Sequence, residues 1–176
     1  MGIGARARFL ILACLVAAAL AAALAVAPAF AQERVLQLPS GEELRYRLIA
    51  DPAESAQPTA MQLLRHLADG DLEAAAALSN APERRLEVLR NFRQAVGEEE
   101  FKRLFGRYFA PENRVLMEAA IGQHRMIVWD LGEAGNQLAG QYYVEADGKF
   151  RMDDVPNEER TKLQRVLEAH RKQTSR

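Results

Sequence analysis

The sequence predicts an α+β fold: helices packed on a curved antiparallel four-stranded meander, with an N-terminal hairpin and a C-terminal helix. Three observations carry that prediction. Apolar residues recur at helical spacing between Leu63 and Tyr108, the period changes to two from Arg114 onward, and turn-forming residues punctuate both stretches. Helices segregated from a run of consecutive strands belong to an α+β layer structure rather than an alternating α/β one.

Ahead of this domain, Arg6 and Arg8 precede an apolar run from Phe9 to Val26 that ends in Ala29-Phe30-Ala31. A basic start, an apolar stretch and small residues three and one before a cleavage point make an export signal, cut between Ala31 and Gln32. An uncleaved anchor is the alternative, because the run approaches the roughly 18 residues of a spanning helix. Alanine-richness and the Ala-Phe-Ala ending favour cleavage. Ile11-Leu12-Ala13-Cys14 loosely resembles the box before a lipidated cysteine, but the apolar run continues well past Cys14. The expected location is the periplasm, with no membrane association once the signal is removed.

Removing 31 of the 176 residues leaves 145, a length that suits one domain with one core. Without Arg6 and Arg8 the chain holds 21 basic and 24 acidic side chains, a formal charge of −3 that attracts neither nucleic acid nor anionic lipid. Cys14 is the single cysteine and leaves with the signal, so the mature chain has no disulfide, thiolate nucleophile or thiolate metal ligand. The predicted organisation is a signal at 1–31, a hairpin and connector at 32–58, a helical plus antiparallel-sheet core at 59–155, and a C-terminal helix and basic tail at 156–176.

Val35 to Leu38 and Leu44 to Leu48 flank Pro39-Ser40-Gly41 and read as the N-terminal hairpin. After the Pro-, Ser- and Ala-rich connector 51–58, Thr59 is the expected cap of a helix with Leu63, Leu64 and Leu67 on one face. Asp69-Gly70-Asp71 ends it, and Leu72, Ala75, Ala76 and Leu78 continue the apolar face in the next. Pro82 suits a first helical position, Leu86, Leu89 and Phe92 follow at helical spacing, and Gly97 is the expected stop. Glu98, Glu99 and Glu100 favour the positive end of a further helix whose stripe is Phe101, Leu104, Phe105 and Tyr108.

Beyond Pro111, Val115, Met117, Ala119 and Ile121 alternate with Leu116, Glu118 and Ala120, and Gly122-Gln123 turns the chain into His124 to Leu131. This register sets Glu118 diagonal to Arg125. The second strand is apolar on both faces, which marks a central, covered strand. For the last hairpin a three-residue turn with Gly148 left-handed is preferred, because it groups Tyr142, Val144, Phe150 and Met152 and opposes Glu145 to Lys149. Val155-Pro156-Asn157 then starts a helix with Leu163, Val166 and Leu167 inward, fading into a basic tail after His170.

The helix bearing Ala-Asp-Gly-Asp-Leu-Glu-Ala-Ala at 68–75, the later aromatic helix and the closing meander resemble the cone-shaped nuclear transport factor 2-like superfamily, over about Thr59 to Val155. The resemblance implies a cone enclosing a pocket for a small apolar molecule. Some members isomerise or dehydrate such molecules with buried carboxylates and histidines, and many are non-catalytic.

No residue pattern supplies a catalytic or metal site, and no cofactor is expected. His66 sits at the margin of the leucine stripe and needs a facing carboxylate to act as a base. His124 and Asp130 share a strand face but stand roughly 20 Å apart, six residues at about 3.3 Å each. Asp153 and Asp154 point to opposite sides of an extended chain, and Asp69-Gly70-Asp71 lacks the spacing of a calcium loop. Glu118 and Arg125 are expected to form a cross-strand ion pair. Facing the interior instead, they would anchor a ligand carboxylate or hydroxyl. Trp129, Tyr142 and Tyr108 are the candidates to line an apolar pocket, with core packing as the alternative.

The resulting expectation is an exported, non-catalytic envelope protein that binds a small apolar ligand or a protein partner. The alternatives are a small cofactor-free isomerase or cyclase, and a module that dimerises through an outer sheet face bearing Ala139, Gln141 and Tyr143.

Overall fold

Residues 32–132 and 138–174 are described in the computed structural model, so the expected signal at 1–31, with Ala29 and Ala31, lies outside the described residues. The strands are β1 Gln32–Gln37, β2 Glu43–Leu48, β3 Arg114–Ile121, β4 His124–Asp130, β5 Leu138–Ala146 and β6 Lys149–Met152. The helices are α1 Gln57–Asp69, α2 Leu72–Ala77, α3 Pro82–Val96, α4 Glu98–Gly106 and α5 Glu158–Thr174. All belong to one compact unit, Ala31–Arg176, and the class is α+β with an antiparallel sheet.

Among the described residues the sheet has six strands in sequence order rather than four. The N-terminal hairpin joins the meander through β2, where Arg47 faces Ala120 and Leu48 faces Ala119, and the Ile49 N–H donates to the Glu118 carbonyl at 2.9 Å. An isolated hairpin is marginal in water. Leu44 escapes that fate by packing with Ala119, Met126 and Val128 against Leu163, Val166 and Leu167 of α5.

β4 is the covered central strand that its sequence predicts. Met126 and Val128 face α5, while Ile127 and Trp129 face Ala60 and Leu64 of α1. The remaining apolar faces of α1 to α4 meet in a third cluster around Leu63, Leu67, Leu72, Leu89 and Phe101. The sheet is thus sandwiched between α1–α4 and α5.

Helix ends follow the expected punctuation with two departures. Gly70 closes α1 at φ +82°, a conformation that costs a non-glycine residue about 1–2 kcal/mol, and the Asp71 carboxylate caps α2 through the Ala74 N–H at 3.0 Å. Thr59, however, is not a cap, because α1 starts at Gln57, with Pro58 in its first turn. The Ala56 N–H at that start is held at 2.7 Å by the Glu118 carboxylate from β3, a tertiary cap no local pattern encodes. In the second departure Tyr108 lies beyond α4, in a 3-10 turn spanning Arg107–Phe109.

Two registers differ from expectation. A β-bulge between Val115 and Met117 turns Val115 toward Trp129, while Leu116 joins Met117 on the α5 side. In the last hairpin, Ala146 faces Lys149 across the two residues Asp147 and Gly148, at φ +53° and +69°. That is the doubly left-handed turn whose twist matches paired strands. Tyr143 and Glu145 therefore share a face with Phe150 and Met152, and Glu145 faces Phe150 rather than Lys149. The Glu145 charge stands at the open end of this face, where its carboxylate approaches Arg125 at 3.9 Å. The outer edge of β6 is covered by the segment 78–80, through Met152 N–H to Leu78 O at 2.7 Å and Asn80 N–H to Met152 O at 2.9 Å. Asn157 caps α5 through the Arg160 N–H at 2.7 Å, and that helix runs on to Thr174, so Arg171 and Lys172, expected in a tail, are helical.

Candidate functional site

Glu118 faces Ile127 and Arg125 faces Ala120, so the two are diagonal neighbours on the α1 side of the sheet. They are only 2% and 4% exposed, yet they do not form the expected ion pair. The connector before α1 folds over this corner and takes both groups for itself. Glu118 accepts hydrogen bonds from Ser55 Oγ at 2.6 Å, the Ala56 N–H at 2.7 Å and Gln57 Nε2 at 3.4 Å. Arg125 donates from Nε to the Glu54 carbonyl at 3.2 Å and from Nη1 to the carbonyls of Gly122 and His124 at 3.0 and 3.2 Å. Its guanidinium stands 5.2 Å over the Phe150 ring.

One nitrogen of this buried cation is left over. Arg125 Nη2 makes no hydrogen bond among the described residues and approaches the Glu145 carboxylate only at 3.9 Å, beyond hydrogen-bond range. Arg125 lines a groove of about 710 Å³ together with Arg47, Glu54, Glu145, Lys149 and Phe150. Burial first, and the nearby Arg47 charge second, lower the Arg125 pKa from its usual value, while Glu118, Glu145 and Glu54 oppose the shift. A guanidinium stays protonated under such pressure, so the groove presents a desolvated cation with a free donor.

The aromatic candidates do not meet there. Trp129 is 3% exposed, stacks edge-on against Tyr108 at 5.3 Å between ring centres, and donates from Nε1 to Gln141 Oε1 at 3.0 Å. The same Gln141 oxygen accepts from the Tyr143 hydroxyl at 3.2 Å. Burial pushes the Tyr143 phenol far above its ordinary value and raises that of Tyr108. Trp129 and Tyr108 thus fill the interior. Tyr142 lies on the opposite face beneath the Arg160 guanidinium at 5.3 Å, so the expected trio is split by the sheet. The dimerisation face proposed through Ala139, Gln141 and Tyr143 is likewise overturned. The two-residue turn puts these side chains on the α1 side, where Tyr143 is fully buried and Gln141 nearly so.

A second polar cluster, missed in the sequence, forms where β6 ends. Asp153 and Asp154 do point apart. The buried Asp153 carboxylate meets Asn80 Nδ2 at 3.0 Å, Asn157 Nδ2 at 2.8 Å and His124 Nδ1 at 3.0 Å. Asp154 accepts from Ser79 Oγ at 2.6 Å and takes both Nε and Nη2 of Arg85. The carboxylate facing His124 is therefore Asp153, whereas Asp130 at the far end of β4 pairs with Arg114 at 3.7 Å. Periodicity cannot join His124 on β4 to Asp153, 29 residues on and just past the end of β6. His66 has the capping residue Asp71 as its facing carboxylate, at 4.0 Å. Among the described residues no three His, Cys, Asp or Glu side chains gather into a group that could hold a metal ion.

Searched against protein-family models, curated proteins and solved structures, the chain matches none.

Proposed function

We propose that this chain is an exported, periplasmic protein that acts by binding rather than catalysis, and that its ligand is a small molecule with an apolar body and an anionic head. The head sits at Arg125. The observation that carries this reading is the free Nη2 of a buried guanidinium facing a groove of about 710 Å³, within the usual range for small-molecule sites. Lys149 adds positive charge at the rim, where Arg47 is paired with Glu54 at 3.2 Å, and Phe150 gives the body an apolar surface. The nuclear transport factor 2-like resemblance belongs to the same proposal and favours a ligand-binding role. The interior where such a cone would hold its ligand is filled here by Trp129, Gln141 and Tyr143, so our reading moves the site to the rim. A cofactor-free enzyme is the competing reading, favoured by the contact of His124 with Asp153; neither residue lines the Arg125 groove.

Calorimetry with 2-naphthoate and its amide tests the site. The carboxylate is expected to bind about tenfold more tightly than the amide, because a charge-assisted bond to Arg125 is roughly twice as strong as a neutral one. Glu145→Gln, which removes the competing internal anion from a half-exposed position, is expected to tighten carboxylate binding further. Equal affinities for acid and amide would discard the proposal. Export is tested separately, by native mass spectrometry of full-length protein made in a Gram-negative host. We expect a mass starting at Gln32, and a retained signal would refute the periplasmic assignment.

A further inference from the structure

A second groove, of about 330 Å³, runs between the starts of α3 and α5. Arg84, Arg85 and Val88 form one wall, Arg160 the other, and Asp154 and Pro156 the floor. Three arginines against one aspartate invert the sign of a chain whose residues 32–176 carry a formal −3. The aspartate is already spent on Arg85, and Arg160 is fixed by donating Nη1 to the Asp153 carbonyl at 2.7 Å. Arg84 is different: among the described residues its side chain has no hydrogen bond or ion pair.

The rim is apolar as well as basic. Val88 is 51% exposed, and Val155, between the floor residues Asp154 and Pro156, is 46% exposed. Scattered exposed valines mean nothing alone, but Val88 lies one helical turn from the unpaired Arg84 and lines the groove with it. Ser79, Asn80, Asn157 and Arg160 all bond to the 153–154 segment, so little ordering remains to oppose binding.

We propose that this groove docks an acidic segment of a protein partner, with carboxylates at Arg84 and Arg160 and apolar side chains on Val88 and Val155. A volume near the lower limit for small-molecule sites accommodates one or two side chains, with Val88 in its wall and Val155 next to its floor residues for a chain crossing the groove.

The test is fluorescence anisotropy of the protein with a labelled Glu-Leu-Glu-Glu-Leu-Glu peptide and its lysine counterpart. The acidic peptide is expected to bind and the lysine one not, and Arg84→Glu is expected to weaken binding about tenfold by placing like charges together. Val88→Asp should weaken it as well. Both positions are exposed and outside the Arg125 groove, so neither variant touches the proposed small-molecule site. No acidic binding at about 1 mM, binding insensitive to Arg84→Glu, or full displacement by an equal concentration of succinate, which would show a simple anion site, each overturns the proposal.

Discussion

Replacing Glu118 with alanine is expected to cost about 3–5 kcal/mol of folding stability, the range found when one member of a buried charge system is removed. The carboxylate holds Ser55, the Ala56 N–H and Gln57, which fasten the connector and the start of α1 to β3. It also offsets the charge of Arg125, which is buried on the same sheet face. Its loss leaves an amide unsatisfied and a buried guanidinium with less compensation, and both penalties act in the folded state. Urea unfolding at neutral pH measures the effect. Glu118→Gln keeps the shape and one acceptor, so it should cost less than the alanine variant. A loss below about 1 kcal/mol for alanine would show that the connector is held by its own packing instead.

Trp129→Ala is the second large effect, expected at about 3–5 kcal/mol through the cavity left when a buried aromatic is truncated. The indole fills space between Tyr108 and the α1 side of the sheet, and its N–H shares Gln141 with Tyr143. Removing it opens the interior while the fully buried Tyr143 keeps its bond to Gln141. Naphthoate affinity per folded molecule should not change, because Trp129 does not line the Arg125 groove. A stable variant that had lost binding would return Trp129 to the ligand site.

The two effects meet at the same lesson about what a chain pattern encodes. Leu63, Leu64 and Leu67 are buried because helical spacing and burial are one physical fact, and β4 is covered on both faces because it is apolar on both. Gly70 and Asp71 end and start helices by backbone and side-chain chemistry within three residues. The diagonal placement of Glu118 and Arg125 also followed from local geometry, since a two-residue turn at Gly122-Gln123 fixes it.

The candidate site was less legible. Glu118 and Arg125 stand out in the sequence, but their partners Ser55, Ala56 and Glu54 are more than 60 positions away in the chain, and only the folded connector brings them in. Asp153 and His124 meet only because β4, β5 and β6 pair side by side. The last hairpin departs from the expected register because Asp147-Gly148 supplies a favourable two-residue turn and the open end of the sheet keeps the Glu145 charge near solvent.

By itself, then, the sequence determined the class, the order of helices and strands, most helix ends and the covered central strand, because each follows from interactions among residues a few positions apart. The tertiary structure alone decided that the hairpin joins the sheet through β2 and β3, that Trp129 and Tyr142 stand on opposite faces, and that Arg125 keeps a free donor over a groove. Those outcomes depend on which distant surfaces bury each other, a choice made by the whole core at once and written in no local pattern.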